Sequence, residues 1–567
     1  MQMPKPKIDA MTTKSSNSII AIRLEGFQVF DKPTYIPLNR LTMLFGPNSA
    51  GKSSLQDAIE LYAFLMARTP ARLYIGMPDV SELLQRHWRR TGSGDDCYVS
   101  HMGIDVTHTT SVDVHSVLAD KLSRNMLGEI QPLNGQWFEL ESKWRFERYA
   151  REEVDLAYET TFEFNVESVF FVKCNESELV VNLSHPLLSL TELKVDFNEA
   201  AKTYPDVMTL TNGLLKIEGR FWGFNPNGCD TENERDAWLQ YGGTTDQPNE
   251  ALGKSTLFAI AIKEINALVG CVLNLANGNS RFRAFNVDAS RMVPTRQDLT
   301  FQIGNLDDPM QPRPDKETTI YRSLAESLAS ELTNIQTHFS DAEMLKKHPN
   351  LPSPANQRKY ADAVNHALAD HLFMEQGYRL DYDFRLLMSK QNSKYGLEEG
   401  MGLDTSEFGF LVELILRDNK GRSHRFEDVG SGIGYLLPVL CAVYKKIHPQ
   451  YSACFIQQPE LHIHPALQAA MGDVFIEGSQ DEHQLVIETH SEHLLLRVLK
   501  RIRQTHLQVA VSPELKIEAE EVCVLYFDPT PDGTTSVKRL RITEDGEFMD
   551  RWPRGFFGER DMELLDE

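Results

Sequence analysis

The sequence predicts an α/β fold carried in two separated pieces of chain, split by a large α+β insertion with a helical arm, and three observations predict it. A short apolar run, Leu41–Phe45, leads through a Gly/Ser loop into a helical pattern. Far downstream, two more apolar runs each end in a polar turn and are followed by helical periodicity. Between them lies a long segment that reads first as alternating strands and then as interrupted helices. A chain of 567 residues, with 41% hydrophobic and 25% charged residues, is long enough for two or three domains around sizeable cores.

The opening stretch MQMPKPKIDAMTTKSSNS has no apolar core, so residues 1–17 are expected to form a flexible tail rather than a signal peptide. Residues 18–70 form the first half of the α/β unit. Here Gly46-Pro47-Asn48-Ser49-Ala50-Gly51-Lys52-Ser53 fits the G-x-x-x-x-G-K-[ST] phosphate-loop pattern, with the strand before it and a helix after it. The glycines let successive N–H groups curl around an anion at a helix start. Lys52 is placed to reach the β/γ-phosphates of a nucleoside triphosphate, and the Ser53 hydroxyl to hold Mg²⁺. Gly46, Asn48, Ser49, Ala50, Gly51, Lys52, Ser53 and Ser54 are the expected nucleotide contacts. Leu55, Ala58, Ile59, Tyr62 and Ala63 recur at helical spacing and supply the buried side of the helix.

Residues 71–395 are the expected insertion. QRHWRRTG (Gln85 to Gly92) is a small basic-aromatic cluster, usually a solvated face and less often a phosphate contact. TTFEFNVESVFFVKC, ELVVNLS and TNGLLKIEGRFWGF alternate as an antiparallel β region, and DTENERDAW reads as an acidic exposed turn. Among Arg281, Arg283, Arg291 and Arg296, surface salt bridges are the expected fate, with Arg291 and Arg296 candidates for phosphate contact. The stretch STLFAIAIKEINALVGCVLNLA and the apolar series Ile320, Leu324, Leu328, Leu332, Ile335, Phe339 are helical. A proline-rich break, HPNLPSPANQRKY, comes before a helix from Tyr360 to Met374, and YRLDYDFRLL then alternates as a strand.

Residues 396–567 form the second half. Ser431 sits among Gly430, Gly432 and Gly434 at a helix start, a weak anion-receiving signal by itself. FIQQPELHIHP then ends an apolar strand in Gln457 and Gln458, and VIETHSEHLLLR ends another in Glu488-Thr489-His490-Ser491. Two histidines in His462-x-His464, without a third ligand at useful spacing, read as structural rather than as a zinc site.

In this order the phosphate loop, Gly/Ser turn, QPELHIHPALQ and VIETHSEH resemble the ABC-type ATPase head of SMC and DNA-repair ATPases. They are more similar to the OLD-like ATPases of bacterial phage defence, and the tail LRITEDGEFMDRWPRGFFGER to one branch of that group. Within it the chain looks like the Septu-type ATPases, some encoded with retrons, which operate beside an HNH nuclease. The likeness covers residues 18–70 and 400–560, and the middle only loosely.

This resemblance implies ATP and Mg²⁺ as cofactors and a homodimer or higher oligomer that sandwiches ATP, Ser431 and Gly432 acting on the nucleotide held by the partner. It implies that Gln457 stands where an acid holds Mg²⁺ through water, Gln458 where a glutamate activates the attacking water, and His490 where a switch histidine contacts the γ-phosphate. A neutral amide orients water but accepts no proton, and loss of a general base costs ~10²–10⁴-fold in rate. Glu460 is the nearest substitute base, and Glu488 a weaker one. The expected function is an ATP-binding scaffold with slow or absent turnover that regulates a separate effector, an HNH nuclease, with a retron reverse transcriptase and its DNA as further partners. Contact with nucleic acid is left open. The other reading is a DNA-associated ATPase of the repair/SMC type that cycles on another acid. OLD-type relatives carry a Toprim nuclease after the head. Here the closing residues read as strands, so no nuclease of its own is expected.

Composition limits the rest. A net charge of −23, from 58 basic against 81 acidic residues, opposes a chain coated in DNA while allowing a local basic groove. Seven scattered cysteines without a C-x-x-C pair point to a reducing cytoplasm. The absence of a long apolar run argues against a membrane span.

Overall fold

A computed structural model describes residues 18–66, 84, 86–91, 98–110, 127–130, 138–150, 156–175, 178–189, 191–193, 197–203, 205, 208–218, 283–304, 321, 324–325, 328, 354–388, 408–444, 452–479, 483–509 and 511–553. The expected tail over 1–17, the acidic turn near Asp230, the helix STLFAIAIKEINALVGCVLNLA and the closing residues from Arg554 lie outside the described residues, as does most of the Ile320–Phe339 series.

At the centre is a six-stranded sheet in the order Arg283–Val287, Ser452–Gln457, His483–Glu488, Leu41–Phe45, Val522–Pro529, Thr535–Leu540. The first five strands run parallel and the last returns antiparallel. Buried on both faces, these strands read as near-continuous apolar runs, as parallel strands do. Their alternation still sorts the side chains. Leu44, Phe455, Val486, Cys523, Leu525 and Phe527 face one core. Leu41, Met43, Phe45, Cys454, Ile456, Leu485, Ile487 and Val524 face the other.

The first core is shared with the helix Lys52–Met66 and with a nine-stranded antiparallel sheet. That sheet contains Ser18–Glu25 and Thr34–Pro37 together with seven strands between residues 101 and 218, so the expected β region is present and joins the N-terminal strand pair in one sheet. The second core lies under the helices Pro354–His366, Ser431–Tyr444, Pro465–Gly478 and Glu492–His506. The Ser431–Tyr444 helix is buried from Ile433 to Tyr444 except at the half-buried Tyr435, which is why its sequence is apolar nearly all round. A four-stranded antiparallel layer flanks these helices, with Thr300–Gly304, Phe408–Arg417 and Arg379–Met388 in order and Ser423–His424 also paired to Phe408–Arg417.

Two features depart from the sequence expectation. Arg283–Val287, inside the segment expected to be inserted, pairs in parallel with Ser452–Gln457 and extends the central sheet. Five residues with only two or three apolar side chains give too short a pattern to show that role. The QRHWRRTG cluster is also tied into the body of the protein. Trp88 is buried and its indole N–H donates to the Val99 carbonyl at 2.6 Å. Arg89 donates to the Gln28 carbonyl and pairs with Asp31, while His87 stacks on Phe27. Arg89 is thus engaged within the protein, while Arg86 and Arg90 are exposed.

Candidate nucleotide site at the carboxyl edge of the central sheet

Parallel register decides which residues meet. Gln457 lies opposite Glu488, and Glu488 opposite Leu44, so the loop that opens at Gly46 shares one edge with both strand ends. The strand Leu41–Phe45 is flanked by His483–Glu488 on one side and Val522–Pro529 on the other, a position in α/β sheets where a crevice forms at the carboxyl ends.

The Gly46–Ser53 loop has the backbone its motif requires. Gly46 has φ +136° and a Cβ there would sit 2.4 Å from the Phe527 carbonyl oxygen, while Gly51 has φ +89° and a Cβ would meet Val29. Ser49 is also left-handed, at φ 62°. Asn48, Ser49 and Ser53 are exposed at the mouth, whereas Gly46, Ala50, Gly51, Lys52 and Ser54 are buried. The Thr535 hydroxyl donates to the Ala50 carbonyl and pins the loop to the last strand of the sheet.

Lys52 is 3% exposed and curls back over the loop, donating to the carbonyls of Gly46 at 2.9 Å and Pro47 at 2.8 Å. Its ammonium lies 3.6 Å from Glu488 Oε1. Burial lowers the Lys52 pKa, and the Glu488 charge works against that shift. Burial raises the Glu488 pKa, with Lys52 opposing and the Glu460 charge adding to the rise.

The glutamine strand end is held by a different set of bonds. Gln457 Nε2 donates to Gln56 Oε1 at 2.8 Å on the phosphate-loop helix, and Gln457 Oε1 accepts from the Ala289 N–H at 3.1 Å. Gln458 has φ 42°, and its N–H donates to the Glu488 carbonyl at 2.7 Å. Arg291, 4% exposed, donates to the carbonyls of Gln457 and Gln458 at 2.9 Å each, of Tyr435 at 3.0 Å and of Asp288 at 3.3 Å. This corrects the surface salt bridge expected for Arg291. The arginine is inside, and one guanidinium joins the glutamine turn to the Ser431–Tyr444 helix. Arg296 does pair with a carboxylate, Glu413, at 2.6 Å.

Glu460 locks two loops. Its Oε2 accepts from the Thr489 hydroxyl at 2.8 Å and its Oε1 from the His490 N–H at 2.7 Å. Burial raises its pKa, while the donors from His490 and Thr489 work in the other direction. Burial and the nearby Lys52 charge lower the His490 pKa, which favours a neutral imidazole beside the phosphate loop. Ser491 caps the following helix by accepting from the Leu494 N–H.

Ser431 and Gly432 begin their helix away from these bonds. A Cβ on Gly432 would lie 3.5 Å from the His462 carbonyl oxygen, and Tyr435 stacks on His462 at 4.4 Å. His464 caps the Pro465–Gly478 helix by accepting from the Ala466 N–H. Both histidines are thus engaged structurally.

The residues present fit a triphosphate: a phosphate-loop sequence with positive φ at Gly46, Ser49 and Gly51, a helix start at Lys52 and a buried ammonium lie at this edge. The donors for Mg²⁺ are sparser. Ser53 offers a hydroxyl and Gln457 a neutral amide, and the carboxylate closest to Lys52 among the described residues is Glu488. Sequence reasoning finds the loop, both glutamines and His490. It misses Gln56 as a partner of Gln457, and Arg291 as a clamp, because nothing in a single strand shows which backbone carbonyls will face it.

Comparison with known proteins agrees at the level of an ATPase domain. Residues 311–495 match the family model described as AAA ATPase domain, and residues 517–566 match a protein family of unknown function, DUF3696. A search of the curated proteins gives no match. Among solved structures, the chain is similar to an SMC head bound to the C-winged helix domain of ScpA, at 11% identity and TM-score 0.37, over 92% of this chain and 98% of that one. A Pyrococcus furiosus Smc head with an extended coiled coil, bound to the C-terminal domain of ScpA, matches at 11% identity and TM-score 0.35, over 97% and 99%. The Thermotoga maritima SMC head domain matches at 10% and 0.34, over 92% and 99%. The family match to an ATPase domain lies over residues 311–495, and the phosphate-loop sequence Gly46–Ser53 precedes it in a mixed α/β fold.

Proposed function

We propose that this protein is an ABC-type ATPase subunit that binds ATP, dimerises around it and turns it over slowly, and that in this state it scaffolds and restrains a separate effector, an HNH nuclease, in antiphage defence. The observation that carries the reading is the chemistry of the carboxyl edge: a complete phosphate loop faces a strand that ends in two amides. Gln457 is committed to Gln56 and the Ala289 N–H, and Gln458 has no proton-accepting group. Glu460 accepts one hydrogen bond on each carboxylate oxygen, from Thr489 and His490, and these bonds tie its side chain to the Thr489–His490 turn. Bound Mg²⁺ would offset phosphate charge, with the Ser53 hydroxyl as its direct protein contact and Gln457 reaching it through water. This chain's own contribution is to hold the phosphates through the loop amides and Lys52 and to keep a neutral His490 beside them.

ATP-driven assembly tests the scaffold. With ATP and Mg²⁺ the purified protein is expected to shift from monomer to dimer by mass and to retain about one ATP per chain, and Lys52→Ala is expected to do neither. Retention without dimerisation would remove the sandwich. Co-expression with an HNH nuclease should yield a complex with suppressed DNA cleavage, and free cleavage in the presence of this chain would remove the restraining role.

A second reading has its own observation. Glu488 sits 3.6 Å from the Lys52 ammonium, at the edge where the nucleotide binds, and burial raises its pKa toward that of a useful base. In that reading the protein is a cycling, DNA-associated ATPase whose base is Glu488, and Glu488→Gln abolishes turnover.

A further inference from the structure

His366, His371 and Glu477 bring one ligand atom each to within 4.8 Å of one another, on the flank of the fold that carries the Pro354–His366 and Pro465–Gly478 helices. The two histidines are five residues apart. On an α-helix that spacing rotates side chains by roughly 140°, onto different faces. Here the chain switches to a π-turn over Ala367–Leu372, closed by an i→i+5 bond from the Phe373 N–H to the Leu368 carbonyl at 2.8 Å. The wider turn aligns residues five apart, and the imidazoles meet edge to face at 4.9 Å. Such single π-turns inside helices are found mostly where a function needs the altered spacing.

The groups around this trio are arranged as supports for ligands. Asp370 Oδ2 lies 2.7 Å from His366 Nδ1, a carboxylate–imidazole pairing that orients the ring. The Tyr444 hydroxyl donates to Glu477 Oε2 at 3.1 Å, and His371 Nε2 reaches the same oxygen at 3.0 Å. Glu477 and His371 are half-buried and His366 is exposed, so the trio has a closed side and a solvent side.

We propose that His366, His371 and Glu477 form a binding site for one divalent transition cation of the Zn²⁺ type. Two imidazoles and a carboxylate with a fourth position open to water are an accepted donor set for that ion. Tetrahedral closure at bond lengths near 2.0–2.2 Å needs ligand atoms about 3.4 Å apart, within reach of side-chain rotation from the observed separations. Nitrogen donors select such an ion over Mg²⁺ and Ca²⁺, which prefer oxygen. Bound there, the cation staples the π-turn to the helix that leaves the glutamine loop at Pro465. The site is separate from the nucleotide edge and does not depend on ATP binding.

Titration of the full-length, chelator-treated protein with Zn²⁺, and with Co²⁺ as a spectroscopic substitute, tests the assignment. One equivalent of Zn²⁺ per chain is expected, with Co²⁺ giving the visible bands of a tetrahedral nitrogen–oxygen site, and neither Mg²⁺ nor Ca²⁺ competing at equal concentration. His371→Ala and Glu477→Gln should each weaken Zn²⁺ at least tenfold, and Asp370→Asn by ~10-fold through loss of ring orientation. His366→Ala changes an exposed side chain and serves as the variant that keeps the fold. No binding, or one equivalent bound equally by wild type and His366→Ala, would overturn the proposal and leave the trio as an ion-paired cluster.

Discussion

The Gly46–Ser53 loop and the Gln457–Gln458 strand end meet at the same edge of one sheet, yet they are equipped for different halves of a reaction. The loop has what capture of a triphosphate needs: positive-φ glycines, a helix start and a buried ammonium. The strand end has what positioning needs, since Arg291 fixes its backbone and Gln56 and Ala289 fix the Gln457 amide. Its two edge side chains, Gln457 and Gln458, are neutral amides, which accept no proton. On the proposed reading binding and turnover separate in this site, and substitutions in each half test that separation.

The largest expected effect comes from disabling the first region. Lys52→Ala should weaken ATP binding about 10²-fold, the scale of lost charge-assisted hydrogen bonds, measured by equilibrium binding of a fluorescent ATP analogue. An unchanged affinity would place the nucleotide elsewhere. Loosening the second region comes next. Arg291→Ala removes a buried guanidinium that donates to the carbonyls of the half-buried Gln457, Gln458 and Tyr435, and should cost about 3 kcal/mol in denaturant unfolding of the central domain. A loss under about 0.5 kcal/mol, the scale of surface substitutions, would mean that the clamp is decorative.

Asp473→Asn sharpens the comparison by perturbing the helix behind the glutamine loop without touching either region. Burial opposes ionisation of Asp473, but Arg501 and Arg497 outweigh it and hold the pKa below the ordinary aspartate value. The replacement amide keeps one acceptor and loses the charge, so roughly 2 kcal/mol of stability should go, with ATP affinity unchanged. A parallel loss of affinity would contradict the separation of the two regions.

The smallest effect is a pH slope. Burial raises the pKa values of Glu460 and Glu488, so the folded state keeps protons that the unfolded chain has released. Stability should fall as pH rises from the ordinary glutamate range through the raised folded values. Asp473 works oppositely, its contribution being present above the unfolded aspartate value and lost as pH falls through its lowered folded one. Unfolding followed from about pH 4 to about pH 7 should show a shallower decline in Glu488→Gln than in wild type. Identical slopes would mean that Glu488 is not buried as described.

Much of this is legible in the amino-acid sequence alone. The phosphate loop is a local device, written in eight consecutive residues with a strand before it and a helix after it. The apolar strand of Phe455 and Ile456 and the helix after Ser491 are equally readable, because burial on both faces or on one face leaves a periodic trace. Long-range consequences are not. Gln457 and Glu488 become neighbours only through parallel register, and Gln56 meets Gln457 only because the phosphate-loop helix passes the strand end. Arg291 reads as a surface cation because its partners are main-chain carbonyls, which every residue offers and no sequence pattern marks. The His366–His371 pairing is hidden for a related reason: five-residue spacing contradicts α-helical geometry, and only the π-turn makes it meaningful.

Single-turnover hydrolysis of ATP by wild type and by Gln458→Glu tests the central claim most directly. Restoring a carboxylate at the strand end should speed phosphate release by about 10²-fold or more, while wild type holds its ATP through the same period. Brisk hydrolysis by wild type, unchanged in Gln458→Glu and abolished in Glu488→Gln, would contradict the account and make Glu488 the base of a cycling ATPase.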